Sequence, residues 1–494
     1  MNTKPRLSHF GLILFLSITL WPVPSFAVQT ANQTSPSEQN KQDTQLIDME
    51  EMLDASTLDV KVLQPWHEVH GKVTTRQKLV SIRVGDLIPN REYRVPVRFI
   101  VPKDRPARGF HLTGGNQLDR IKKDKRLDPT ETELIAGGVG LVQTMVQTLK
   151  QSEQGELGHA ADQKFIETLN PRYSIQYWGW PATLMRAVTA AHAEKEYFVP
   201  GKVALSGGSK NGASPSTAII HDKRMTAVFA SVSPIWDSPL RLCDEKAWKE
   251  LDAKQSGRGH AFLGGTYGPV YNKEALANGH SWDDLKALAN RMADHVFISR
   301  NIKSLGERNV DLLFRPGTHD FVAFDLAWGG KHHPDIPVYL EANTGHGVRG
   351  RHSKNPRDRN MTAWLFEHFF DDVVPLLAPP TVETEIVAQG KGQTLVVMVS
   401  FEPRESAEDG RIWWMLDRGP DGSPEYLKDL FPEDNWADMK FDKKAEAWVA
   451  EIEIEAAADV KHIDFFTSHR KTIHYKHRPY PSYLSSPYTR VKLK

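Results

Sequence analysis

The 494-residue sequence contains a single cysteine, Cys243. One thiol excludes an internal disulfide and any metal centre built on several thiolates, so stability must come from the packed core. Neither sign of charge is in excess, since 62 Lys and Arg stand against 62 Asp and Glu. With no basic stripe and no basic amphipathic helix, nothing marks a nucleic-acid or membrane-surface partner. No run in the body of the chain reaches the length that spans a bilayer, so stable membrane insertion is not expected. Metal spacing is missing too. No helix sets two histidines four apart around a glutamate, and His332-His333-Pro334-Asp335 reads as a solvated loop. No metal and no cofactor is expected.

What is present begins with an export signal. Lys4 and Arg6 precede an apolar run over residues 10–21, which ends at Pro22 and Pro24, and Ser25-Phe26-Ala27 follows. That layout predicts a signal peptide over residues 1–27, cleaved after Ala27, and a periplasmic or extracellular protein. Residues 28–60 are rich in Gln, Ser, Thr and Asp and read as a flexible leader.

Two periodicities divide the rest. Over residues 61–378, short β-branched runs alternate with longer amphipathic segments, which predicts a mostly parallel sheet with helices on both faces. Strands are expected at 93–101, 138–142, 202–206, 227–232, 310–314 and 336–340, and helices at 182–196, 213–220 and 359–370. Residues 238–298 break this rhythm and read as an insertion over the sheet edge, a candidate cap. Past Pro379 and Pro380 the pattern is strands without helices, so residues 379–494 are expected to form a sandwich-like all-β module. Its tryptophans, Trp413, Trp414, Trp436 and Trp448, read as core aromatics rather than a glycan platform.

The chemistry concentrates at Ser206-Gly207-Gly208-Ser209-Lys210-Asn211-Gly212. A buried strand runs into a glycine-flanked serine and a helix follows at once, which is the pattern of a nucleophile elbow. Gly207 supplies the small residue that lets the helix pass close to the strand. Asn211 stands where a glycine is usual, and asparagine tolerates left-handed backbone. A serine needs a base, and the base an orienting acid, each in a loop after a later strand. Asp320, in Gly317-Thr318-His319-Asp320-Phe321, and His346, in Asn343-Thr344-Gly345-His346-Gly347, fill those places. Asp237 is the rival acid and Asp325 a weaker one. For the oxyanion, the amide of Lys210 is one donor. A second is expected at Gly114 or Gly115, in a stretch over residues 109–116 that resembles the His-Gly-Gly loop of esterases.

These motifs are similar to those of the PhoPQ-activated pathogenicity-related proteins, exported α/β-hydrolase-like chains with a Gly-x-Ser-Lys-x-Gly elbow. Residues 207–212 match that elbow position by position, and the histidine loop, the acid loop, Trp180-Pro181 and the tryptophan-bearing β tail are similar as well. Glucuronoyl and acetyl-xylan esterases are a more distant likeness. The resemblance implies an α/β-hydrolase fold and the triad Ser209, His346 and Asp320. Together these readings predict an exported serine hydrolase, a carboxylesterase working through an acyl-enzyme on a small-molecule, glycan-derived or peptide-derived ester or amide. Two alternatives stay open: an amidase or peptidase on the same triad, and an inactive binding protein in which the β module carries the function.

Overall fold

The computed structural model describes residues 46–493, apart from 116–117, 147–148, 150–153, 254–271, 347–355, 390–391, 404–405 and 456–459. The expected signal peptide lies outside the described residues. Residues from Leu46 onward form one compact unit.

Its centre is an eight-stranded sheet. The strands are β1 (Lys61–Val69), β2 (Thr75–Ile88), β3 (Arg91–Pro102), β4 (Ala107–Gly115), β5 (Gly140–Met145), β6 (Phe198–Gly208), β7 (Ala227–Ser231) and β8 (Asp311–Arg315). They lie in the order β1-β2-β3-β5-β4-β6-β7-β8. The first three pair antiparallel, as does β3 with β5, and every pair from β5 to β8 is parallel. Parallel strands covered on both faces read as continuous apolar runs, and all five residues of β7 are buried. Alternate side chains sort to two cores. Val203, Leu205, Val228 and Ala230 join one cluster, while Ala204 and Phe229 join the other.

Helices cover both faces. Within the first cluster pack α2 (Trp180–Ala193) and α3 (Lys210–His221). Against the second face pack α1 (Pro129–Ala136) and α7 (Pro356–Phe369). The start of α1 is fixed by a capping box between Asp128 and Glu131 with Pro129 at its first turn, an arrangement that satisfies two otherwise orphan amides. Together with the β module below, this is the α/β-hydrolase architecture that the residue pattern predicted.

The β module is two antiparallel sheets. One has the order β13 (Lys440–Asp442), β14 (Ala447–Ile454), β10 (Gly392–Ser400), β9 (Thr381–Gln389); the other runs β12 (Trp436–Asp438), β11 (Asp409–Leu416), β15 (His462–Tyr475), β16 (Arg478–Ser485), with β17 (Thr489–Lys492) on β15. Leu395, Val397 and Ile452 share a core with Ile412, Ile463 and Phe465 across the two sheets. The opposite face of the second sheet sends Trp413, Met415 and Phe466 into the first cluster, among the residues of α2 and α3. Of the tryptophans, Trp413 is buried, whereas Trp436 is exposed beneath the guanidinium of Arg411.

Several expectations change. Part of the expected leader packs into the fold: Met49–Leu53 is helical, and Leu46, Ile47, Met52 and Leu58 are buried. Buried Arg186 on α2 donates to the carbonyls of Glu51 and Asp54, at 2.7 and 2.8 Å. The run 336–340 is no full strand, since Val338 makes only bridges to Phe314 and to Ser485. Residues 109–115 lie within β4 rather than in a loop, leaving Gly114 and Gly115 at its end. The described part of the insertion joins the helical layer, because α4 (Trp282–Val296) and α5 (Ile298–Glu307) pack on α3. Its segment around Gly264 and Gly268 lies outside the described residues. Among the described residues no helix is long and apolar enough to cross a membrane.

Candidate active site

The chain runs from β4 outward to β5, then returns to β6 on the other side of β4 and continues away through β7 and β8. The strand order therefore reverses between β4 and β6. Ligands of open α/β sheets bind beyond the carboxyl ends of the strands at such a reversal. Ser209 stands there, between β6 and α3.

Its backbone has φ 59° and ψ −129°, a conformation that costs a non-glycine residue about 1–3 kcal/mol. The surroundings hold it there. The Ser209 amide donates to the Ser231 carbonyl on β7, and the amides of Gly212 and Ala213 return to the Ser209 carbonyl. The helix passes so close that a Cβ on Gly207 would lie 2.0 Å from the Asn211 carbonyl oxygen. Only glycine fits. Asn211 is an ordinary helical residue, and the left-handed position is Ser209 itself.

Three side chains distant in the chain meet at this corner. His346 Nε2 lies 2.9 Å from Ser209 Oγ, and His346 Nδ1 lies 2.9 Å from Asp320 Oδ1. With Nδ1–H donating to the carboxylate, Nε2 is left to accept the serine proton; this tautomer is assigned from the bonding pattern. Asp320 is fully buried, whereas the His346 side chain is 33% exposed. The base thus faces the crevice while its acid is sealed behind it. Asp320 Oδ1 also accepts from the Val322 amide, at 3.0 Å, which fixes the carboxylate within its own turn.

The rival acids are committed elsewhere. Asp237 pairs with Arg300 and His333 and accepts from Ser299 Oγ at 2.7 Å. Burial would raise its carboxyl, but these partners outweigh burial and hold it well below the usual range. Asp325 is buried against Arg241, at 2.7 Å. Of the remaining histidines considered for metal, His333 is thus bound to Asp237, and His332 Nδ1 hydrogen bonds the Trp328 carbonyl.

A crevice of about 340 Å3 opens at the serine, lined by Thr113, Gly114, Ser209, Val232 and His346. The amide of Lys210 opens α3, where first-turn amides have no acceptor within the helix and the dipole favours negative charge. Gly114 faces this crevice from β4, where a Cβ would meet Asn211 Oδ1 at 2.7 Å. Gly115 lies one step further and lines an adjoining cleft. Burial holds the Lys210 ammonium below the usual lysine range. Beneath the crevice His111 is a buried strut, its Nε2 2.8 Å from Ser206 Oγ. Burial, with the charges of Lys125 and His368, pushes it down to about 3, so it stays neutral.

Sequence reasoning missed what braces the loops of Asp320 and His346. Arg418, in the β module, is buried and donates to the Thr318 carbonyl and to His319 Nδ1, and it sits 4.0 Å from the Tyr426 ring. Burial first, and then the Arg418 charge, push His319 down to about 3. His319 therefore stays neutral at neutral pH. Asn343, with φ 63°, exchanges two hydrogen bonds with the backbone of Phe431, at 2.9 and 2.8 Å. Acid loop and histidine loop are thus both held from the β module. Arg418 lies 100 positions from Thr318, so nothing local could have announced the contact. A larger cleft of about 690 Å3 between α6 (Leu326–His332) and the β module holds Trp328, Asp421 and Tyr488, but it does not include the serine.

No protein-family model matches the chain, and no curated protein matches it. Solved structures similar to it include acetyl xylan esterase 1 from Thermoanaerobacterium sp., at 12% identity and TM-score 0.36, covering 64% of this chain and 92% of that one. An acetyl xylan esterase from Paenibacillus sp. has 14% identity and TM-score 0.38 over 65% and 92%. A glucuronoyl esterase from Teredinibacter turnerae has 12% identity and TM-score 0.36 over 63% and 78%. The architecture stands on the strand order given above, independently of these likenesses.

Proposed function

We propose that the protein is a serine hydrolase, a carboxylesterase that works through an acyl-enzyme. The observation that carries this is the hydroxyl–imidazole–carboxylate relay of Ser209, His346 and Asp320 at a strained, open corner. Ser209 Oγ attacks the ester carbonyl carbon while its proton passes to His346 Nε2. The tetrahedral oxyanion is bound by the Lys210 amide, with a second donor at the Gly114–Gly115 end of β4. Collapse breaks the bond to the alcohol, which leaves with the proton held by His346. A water then gives a proton to His346 and attacks the acyl carbon. The carboxylic acid departs and Ser209 recovers its hydrogen. Asp320 holds the imidazole and stabilises its charged form in both halves.

Export from residues 1–27 and membership among the PhoPQ-activated pathogenicity-related proteins belong to the same proposal. They are supported by the signal-like leader and by the match of residues 207–212 to the elbow motif. The test is labelling of the purified protein with a fluorophosphonate. Wild type should be modified at Ser209, and Ser209→Ala should escape modification and lose roughly 10^4-fold or more in ester hydrolysis. A folded wild type that resists the probe and cleaves no ester would overturn the reading.

A further inference from the structure

The cleft that adjoins the Ser209 crevice is basic. It has a volume of about 810 Å3 and shares Thr113 and Gly114 with the crevice, so the two spaces have a common wall at the end of β4. Its far wall is formed by Arg120, Ile121 and Lys123 to Arg126. The one acid there is already engaged. Asp124 accepts from Gln64 Nε2 at 3.2 Å and lies 3.0 Å from His67 Nε2 and 3.4 Å from Arg98. Lys125 pairs with Glu131 at 2.8 Å. Among the described residues no acid pairs with Arg120, Lys123 or Arg126, and all three are exposed beside the cleft.

The wall is also anchored. Arg98 on β3 is fully buried, and its guanidinium donates to the carbonyls of Ile121 and Lys122, at 2.8 and 2.9 Å. Gln77 on β2, equally buried, donates to the Lys125 carbonyl and accepts from the Lys125 amide, both at 2.9 Å. Burying polar side chains is costly unless they are bonded. Here two of them spend their bonds on gripping the backbone of a cationic segment. A surface loop that merely solubilised the protein would need no such grip. The backbone that carries these cations is thus fixed beside a cleft that shares Thr113 and Gly114 with the crevice, and one-signed clefts raise the local concentration of oppositely charged substrate.

We propose that this cleft is an anion subsite of the Ser209 site, so that the ester acted on carries a negative charge on its acyl or its alcohol part. The inference deepens, and depends on, the hydrolase reading. Two matched pairs of esters test it: mono-4-nitrophenyl adipate against 4-nitrophenyl hexanoate, and 4-acetoxybenzoate against phenyl acetate. In at least one pair the charged member should have the higher kcat/KM, on the order of tenfold at low salt and shrinking as salt screens it. In Arg120→Glu with Arg126→Glu, checked for folding by thermal melting, that ratio should fall to or below one. Binding of the free adipate dianion is followed by calorimetry alongside, because it requires no turnover. Fluorophosphonate labelling with ratios near one in both pairs, and no adipate binding, overturns the subsite and leaves the hydrolase intact. Adipate binding that the double variant abolishes, in a protein that never labels, sustains the basic cleft while the hydrolase reading fails.

Discussion

At its two ends the central sheet carries the same three groups in the same sequence of contacts. Beyond the carboxyl ends of the strands, Ser209 meets His346 and His346 meets Asp320, each at 2.9 Å. At the opposite end, Thr226 Oγ1 lies 3.0 Å from His368 Nε2, and His368 Nδ1 lies 2.5 Å from Asp311. Burial is inverted between them. The second imidazole is sealed, at 3% exposure, and its carboxylate is open at 44%. Its hydroxyl is also occupied, accepting from the Val203 amide at 2.9 Å and lying 3.1 Å from the Val203 carbonyl. A relay of distances therefore does not make a nucleophile. The Ser209 cluster adds an open imidazole, a strained corner that projects the hydroxyl, and a helix N-terminus beside it. The other cluster ties α7 to the sheet.

Three substitutions sharpen the contrast. Asp320→Asn, by favouring the wrong histidine tautomer, should lower kcat about 10^4-fold. Asp311→Asn should leave esterase turnover unchanged in the same assay, and equal losses would mean the two clusters had been assigned the wrong roles. Thr226→Val removes a hydroxyl bonded to backbone and should cost about 1 kcal/mol in urea unfolding with full activity retained. The last effect is a slope. Burial, and then the neighbouring Asp311 charge, raise Glu367 from its ordinary 4.5 to about 7. The folded state holds that proton more tightly than the unfolded chain. The stabilisation is therefore complete below pH 4.5 and is lost as pH rises towards 7. Glu367→Gln should flatten stability across that window, measured by urea midpoints at its two ends. An unchanged slope would show that Glu367 titrates normally.

The parts legible in the sequence are those that local backbone demands. An elbow needs a small residue before the serine, and Gly207 is visible as such. Buried parallel strands declare themselves as apolar runs, as over 203–205 and 227–230. Asp320 and His346 are legible as candidates because each follows an apolar run, 310–314 and 336–340. What escaped was non-local. Leu46, Met52 and Leu58 sit among polar residues, and their order depends on Arg186, which lies 135 positions from Glu51. The run 336–340 looks like a strand, yet Val338 is shared between β8 and the β module and bridges each only once. Residues 109–116 read as a loop through their likeness to the His-Gly-Gly loop of esterases, whereas Gly114 and Gly115 end β4, and only Gly114 permits a close approach, to Asn211 Oδ1.

The tail's grip on the two loops has a consequence for how the chain can be divided. Residues 418–431 supply the guanidinium under Thr318, the Tyr426 hydroxyl bonded to the Ala323 carbonyl, the Asp421 carboxylate on the first amides of α6, and the backbone partner of Asn343. A truncation ending near Pro380 would strip the support from both acid and base while leaving the nucleophile's own elbow whole. The border that composition draws there separates two styles of secondary structure. It does not separate two working parts.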